Sequence, residues 1–286
     1  MFEQGHYAGR TRPTNTRQGT YATAPSGVLL ASINSNDPNA MADMLRRALD
    51  RWNAMSESER MNVGAAARTS EVRRPEQKYP TDGLVLRVFS RDLPRENTTK
   101  DWRKDAWNQD YAWFTKAEAK SLLPTRLEPG QKAEAGKTIA ERLARLNFVD
   151  NVRGQVPPFD PGDVRTARLE SEVVGVANGI VRLKLAGESA TEKEGTWPVA
   201  GYQDMNAPSP QKRGVSVRLL GSAEYDTRLE RFRAFELVAV GTRHGATQYN
   251  GRHDDRGPAP IGYLATLAGD SPAERVAPAF YWSYGW

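Results

Sequence analysis

The chain contains no cysteine. That excludes a disulfide, a thiolate metal site and thiol redox chemistry, and it removes the usual clue to redox compartment. Histidine is nearly as scarce, at three residues, so imidazole chemistry has few places to sit. No apolar run approaches the roughly 18 residues that a spanning helix needs, so no membrane span is expected. The opening "MFEQGHYAGRTRPTNTRQG" lacks the apolar core of a secretory signal and reads as an extended arm. A cytoplasmic location is the default expectation, with the cell envelope or secretion reserved for a natural sequence that extends upstream of Met1.

Catalytic signatures are absent too. There is no Gly-x-Ser-x-Gly elbow, His-Glu-x-x-His, Gly-x-Gly-x-x-Gly or calcium loop. The stretch "GQKAEAGKTIAERL" at 130–143 looks like a phosphate loop, but five residues separate Gly130 from Gly136 where the motif has four. Successive backbone N–H groups must wrap one phosphate, so a one-residue slip spoils the cradle. The segment also follows a Pro-rich connection and not a buried strand. It reads as a polar loop before an ordinary helix over about 138–148, with Ile139, Leu143, Leu146 and Phe148 on its apolar side. Neither a thiol redox enzyme nor a phosphate-loop nucleoside triphosphatase is expected, and no cofactor is implied.

What is present is a chain of 286 residues, long enough for a sizeable core, with a formal charge of +5. The basic excess is diffuse. Residues 1–158 hold 25 basic against 19 acidic side chains, and residues 159–286 hold 15 against 16. Weak nucleic-acid binding through the basic half is therefore an alternative and not the expectation.

Patterning gives an α+β protein. Residues 19–33 hold two short β runs around Pro25-Ser26-Gly27, which is hairpin punctuation. Asp37 and Pro38 open a helix whose Met41, Met44, Leu45, Ala48, Leu49 and Trp52 recur at the spacing of one buried face. Ser56 with Glu59 forms a capping box for a polar helix to about residue 67, and Thr115 with Glu118 forms another for a short helix. Residues 68–82 read as a linker and 84–91 as a strand. Residues 83–158 form a strand-bearing, helical and aromatic middle, with Trp102, Trp107, Tyr111, Trp113 and Phe114 crowded together. From 159 to 286 β-formers dominate around the hairpin signal Asn178-Gly179. They predict an antiparallel sheet or partial barrel of five or six strands, interrupted by loops at 195–214 and 241–260.

The segments "QGTYATA", "PSG", "VLLASI" and "NDPNAMADMLRRALDRW" follow in the order strand, turn, strand, helix. In this order residues 17–52 resemble the closing hairpin and final helix of thioredoxin-like domains. The family's cysteine pair and first half have no counterpart, and Pro13 lies too far before the strand to stand for its cis-proline. The resemblance implies a sheet completed by the strand at 84–91, by another chain, or by sequence upstream of Met1. From about residue 83 onward the chain resembles uncharacterised bacterial proteins, which implies no chemistry.

Two groups of residues are candidate sites. The loop at 241–260 gathers His244, Asn250, Arg252, His253, Asp254 and Asp255, a mixture that could bind a ligand or a divalent ion, or pair as base and orienter. The same loop is dense in Gly, Asn, Asp and Pro, as ordinary turns are. The tail "FYWSYGW" offers Tyr281, Trp282, Tyr284 and Trp286 as interface residues, whose flat faces suit sugar rings, bases or a protein surface. The expected function is a non-catalytic interaction or binding role, with a protein partner or self-association and no known small-molecule ligand. A hydrolase-like or metal-dependent enzyme built on 241–260 is the alternative.

Overall fold

The computed structural model describes residues 19–62, 75–94, 106–199 and 207–286. They fall into two compact units, one within residues 1–73 and one within 74–286. The predicted β runs form β1 (Thr20–Thr23) and β2 (Leu29–Ile33), an antiparallel hairpin. α1 (Pro38–Ala54) follows, capped by the Asp37 carboxylate, which accepts from the N–H groups of Asn39 and Ala40. α2 (Glu57–Met61) starts with the reciprocal Ser56–Glu59 box and ends at Asn62, short of the expected helix to residue 67. Residues 63–67 lie outside the described residues.

The expected buried face of α1 is narrower than its periodicity suggests. Met44 and Ala48 are buried, whereas Leu45 and Leu49 are 52% and 57% exposed. Two short strands cover only a narrow stripe of a helix. The strand that could have widened this sheet, β3 (Leu84–Asp92), pairs elsewhere.

β3 belongs to an eight-stranded antiparallel sheet with β4 (Trp107–Phe114), β5 (Lys132–Glu134), β6 (Val164–Ala177), β7 (Ile180–Trp197), β8 (Ser209–Asp226), β9 (Arg231–His244) and β10 (Ala259–Leu267). The strand order is β4-β3-β10-β9-β8-β7-β6-β5. The sheet exceeds the expected five or six strands because the aromatic middle supplies β3 and β4. β5 adds an edge from the lysine-rich loop, where two of three residues are exposed and no alternation could announce a strand. Asn178 and Gly179 both have positive φ, as the β6–β7 turn requires. The expected loops are shorter than read. β7 runs on to Trp197, β8 begins at Ser209, β9 reaches His244 and β10 starts at Ala259.

Thr115 and Glu118 cap α3 (Lys116–Lys120) as the spacing predicts. α4 (Lys137–Arg142) continues as one wider π turn over Leu143–Asn147, burying Ile139, Leu143, Leu146 and Phe148. This helical segment contacts β4, β6 and β7. It also serves the outer edge of β4. The Arg142 guanidinium donates to Trp113 O at 2.8 Å, the Asn147 amide donates to Tyr111 O at 3.1 Å, and the Tyr284 hydroxyl accepts from the Trp113 N–H at 3.2 Å. Backbone groups that an edge strand would leave open are thereby bonded by side chains. The sheet ends at β4 and β5 without closing into a barrel.

The aromatic tail folds back on its own chain. Tyr284 lies over the Arg142 guanidinium at 4.4 Å and Trp286 stacks on Trp113 at 6.4 Å. Asp110 anchors the tail from β4. Its Oδ1 accepts from the Ala279 N–H at 2.8 Å and its Oδ2 from the Asn147 amide at 3.2 Å. Burial pushes the Asp110 carboxyl up to about 6, against the N–H groups of Ala279 and Tyr111 that favour the carboxylate. The folded protein therefore holds this proton more tightly than the unfolded chain. Between about pH 4, the unfolded value, and about pH 6, stability contributed by Asp110 falls as pH rises. Asp110→Asn, which keeps an oxygen for Ala279, is expected to remove that slope. Urea midpoints measured across the window check this, and an unchanged slope would assign it to another group.

Candidate functional site

The 241–260 residues do not converge on one reactive centre. Arg252 has no exposed surface and donates to Asp150 at 2.6 Å and to both carboxylate oxygens of Asp92 at 2.7 and 2.8 Å. Arg243, also without exposure, pairs with Asp255 at 2.5 Å. Arg153 joins Asp92 at 2.7 Å to Asp255 at 2.9 Å. Three guanidinium groups thus face three carboxylates, and the charges cancel within the cluster. Burial alone would push Asp92 up, but the hydrogen bonds and charge of Arg252, with Arg153 and Arg243 beyond, bring its carboxyl below the ordinary value. Arg252 is raised despite its burial, through Asp92 and Asp150.

The other candidates separate. Asn250 is buried and its side-chain oxygen accepts from the Thr247 N–H at 2.9 Å, which shapes the loop. His244 lies opposite Gly214 in the β8–β9 ladder. Its Nε2 is buried without a hydrogen-bond partner, and burial lowers its basicity, so the ring is neutral near pH 7. His253 and Asp254 are exposed. Among the described residues no group of three or more His, Asp or Glu side chains could hold a metal ion.

The same loop contributes to a different feature. Residues 155–158, the ends of β7 and β8, residues 247–249 and the tail enclose a cavity of about 470 Å³. Its walls are Trp197, Tyr249, Phe280 and Trp282 with Pro157, Pro158 and Pro198. A second cavity of about 600 Å³, reaching Trp107, Asn108 and Asn151, shares Gln155, Val156, Phe280 and Trp282 with the first. The two cavities adjoin at these residues, an aromatic cleft in two parts with Trp282 a wall of both. Tyr249, Trp282 and Trp107 are 59%, 72% and 62% exposed along it. The cleft's frame is tight. The Trp197 indole N–H donates to Ala246 O at 2.8 Å. Gly154 approaches the 247–251 turn so closely that a Cβ would stand 2.1 Å from Tyr249 O.

At one end of the cleft lies Arg213, on β8 and 5% exposed. Its guanidinium stacks over Phe159 at 4.2 Å, and its Nη2 donates to Pro157 O at 3.0 Å and Pro158 O at 2.9 Å. Among the described residues it forms no ion pair, which sets it apart from Arg243 and Arg252. Burial pulls it down to about 10, with Asp163, Asp150 and Asp160 only partly offsetting that loss of hydration. Lys193, on the same wall, is engaged by Asp160 and Asp163.

Of the tail's interface candidates, Tyr284 is buried, Tyr281 and Trp286 are half-buried against Trp113, and Trp282 alone is exposed. Sequence reasoning missed Arg213, Trp197, Tyr249 and Gln155. Arg213 sits beside Gly214 in a stretch read as loop, and nothing in its neighbours distinguishes it from a surface cation. The chain matches no family model, no curated protein and no solved structure.

Proposed function

We propose that the chain is a non-catalytic binding module that holds an extended ligand along the Trp282 cleft. The observation that carries this reading is that three aromatic side chains, each more than half exposed, line these two adjoining cavities of a well-packed unit. Exposed aromatics cost free energy in water and stack on any flat apolar face offered to them. Their grouping in a concavity is what a recognition surface requires. Of the residues an enzyme built on the 241–260 loop would use, His244, His253, Asp254 or Asp255, Asp255 is engaged in the ion network, His244 lies in the β8–β9 ladder, and His253 and Asp254 are exposed. That weighs against the hydrolase alternative. Nucleic acid would require several cations to meet successive phosphates. Among the described residues the cleft has only Arg213 and an already paired Lys193. Leu45 and Leu49, outward on α1, are a further reason to expect a protein partner for the small unit.

The test compares the wild-type protein with Trp282→Ala on an oligosaccharide array and on a library of displayed random peptides. Trp282 touches Phe280 edge-on and is largely solvated, so its loss is expected to change stability by no more than about 0.5 kcal/mol. At least one class of ligand should be retained by the wild type and lost by the variant. Retention by neither protein, or equally by both, would overturn the reading.

A further inference from the structure

Among the described residues Arg213 is the charged cleft residue that no carboxylate bonds directly, and the charges of Asp163, Asp150 and Asp160 offset its burial only in part. A guanidinium carries five N–H donors, and here only two directions are used, both from Nη2 to the carbonyls of Pro157 and Pro158. Carbonyls accept hydrogen bonds but do not neutralise charge, and the ring of Phe159 covers one face. A buried cation left in this state favours any anion that can reach its remaining N–H groups. Two of the carboxylates whose charge reaches it, Asp160 and Asp163, are themselves paired with Lys193.

From this geometry we infer that the cleft binds an acidic oligosaccharide, with the carboxylate of one uronate ring at Arg213 and its neighbouring rings stacked along Tyr249, Trp282 and Trp107. The inference rests on the binding-module reading and adds the class of ligand. Each part of the cleft suits one part of such a chain. Flat aromatic faces match the C–H faces of sugar rings. The Gln155 and Asn151 amides, which line the shared and the second cavity, offer donors and acceptors to hydroxyls. One guanidinium without a directly bonded carboxylate matches one carboxylate, where a phosphodiester chain would bring charges that no other unpaired cation among the described lining residues could meet. An extended peptide commonly binds by adding to an open sheet edge. On β4, the strand that carries Trp107 into the cleft, Arg142, Asn147 and Tyr284 already bond the edge at Tyr111 and Trp113.

The experiment is a calorimetric titration of the full chain with oligogalacturonate, oligoglucuronate and oligomannuronate, each beside its methyl ester. Esterification removes the charge and keeps the rings, so it probes Arg213 without altering the protein. At least one acid is expected to bind the wild type, with its ester weaker by about tenfold or more, the scale of one charge-assisted hydrogen bond. Arg213→Gln should bind acid and ester alike, with circular dichroism confirming its fold. Esters that bind as tightly as acids would sink the inference, as would a variant that still prefers the acid. Failure of every acid to bind would sink it too. Neutral sugars or peptides held in a Trp282-dependent way would remove this inference and leave the binding-module reading standing.

Discussion

Arg252→Ala is expected to destabilise the large unit by about 3–5 kcal/mol, the usual cost of removing one partner from a buried ion network. The magnitude follows from what is left behind. Asp150 and Asp92 lose hydrogen bonds of 2.6 and 2.7 Å to a guanidinium that has no exposed surface. Arg243 and Arg153 remain and cannot reach every vacated oxygen. Arg252→Met, which keeps the volume, should fare no better, because the fault is uncompensated carboxylate and not a void. Denaturant unfolding reads the difference directly, and a loss below about 1 kcal/mol would place the pair among surface salt bridges. A pH signature accompanies it. Since Asp92 is depressed in the folded protein, its contribution is complete above the ordinary carboxylate value and disappears as pH falls through the folded one. The variant should lose that acid-side dependence, which has the opposite sign to the one expected at Asp110.

Trp113→Ala is expected to cost a similar 3–5 kcal/mol, here from a cavity in the core. Trp113 is fully buried, meets Tyr79 edge-on at 5.3 Å and Tyr281 at 5.8 Å, and supports Trp286. Its removal undercuts the tail as well as the core. Trp113→Phe should lose markedly less, because it keeps an aromatic plug and deletes an indole N–H that has no hydrogen-bond partner. Thermal unfolding followed by near-ultraviolet dichroism distinguishes the two substitutions. Equal losses in both would mean that a phenyl ring does not fill the site and that only the full indole supports the core and the tail. The contrast with Trp282 is informative, since residues of one type in one aromatic system differ by whether solvent or the core covers them.

The sequence by itself determined the local elements and their punctuation. Asp37, Ser56 with Glu59, and Thr115 with Glu118 act as caps because a side-chain oxygen at the first position meets backbone N–H groups two or three residues on, an interaction complete within one turn. Asn178-Gly179 fixes a hairpin for the same local reason. The absence of cysteine and of nucleotide motifs was equally readable. Tertiary structure alone decided which strands share a sheet, which cations are paired and which aromatics remain in water. Arg213 and Arg252 are both arginines near glycines in stretches read as loop. Arg252 meets two carboxylates from distant parts of the chain and a third three residues on, and Arg213 meets two carbonyls and a ring. That difference depends on long-range neighbours, which periodicity and spacing along the chain do not encode.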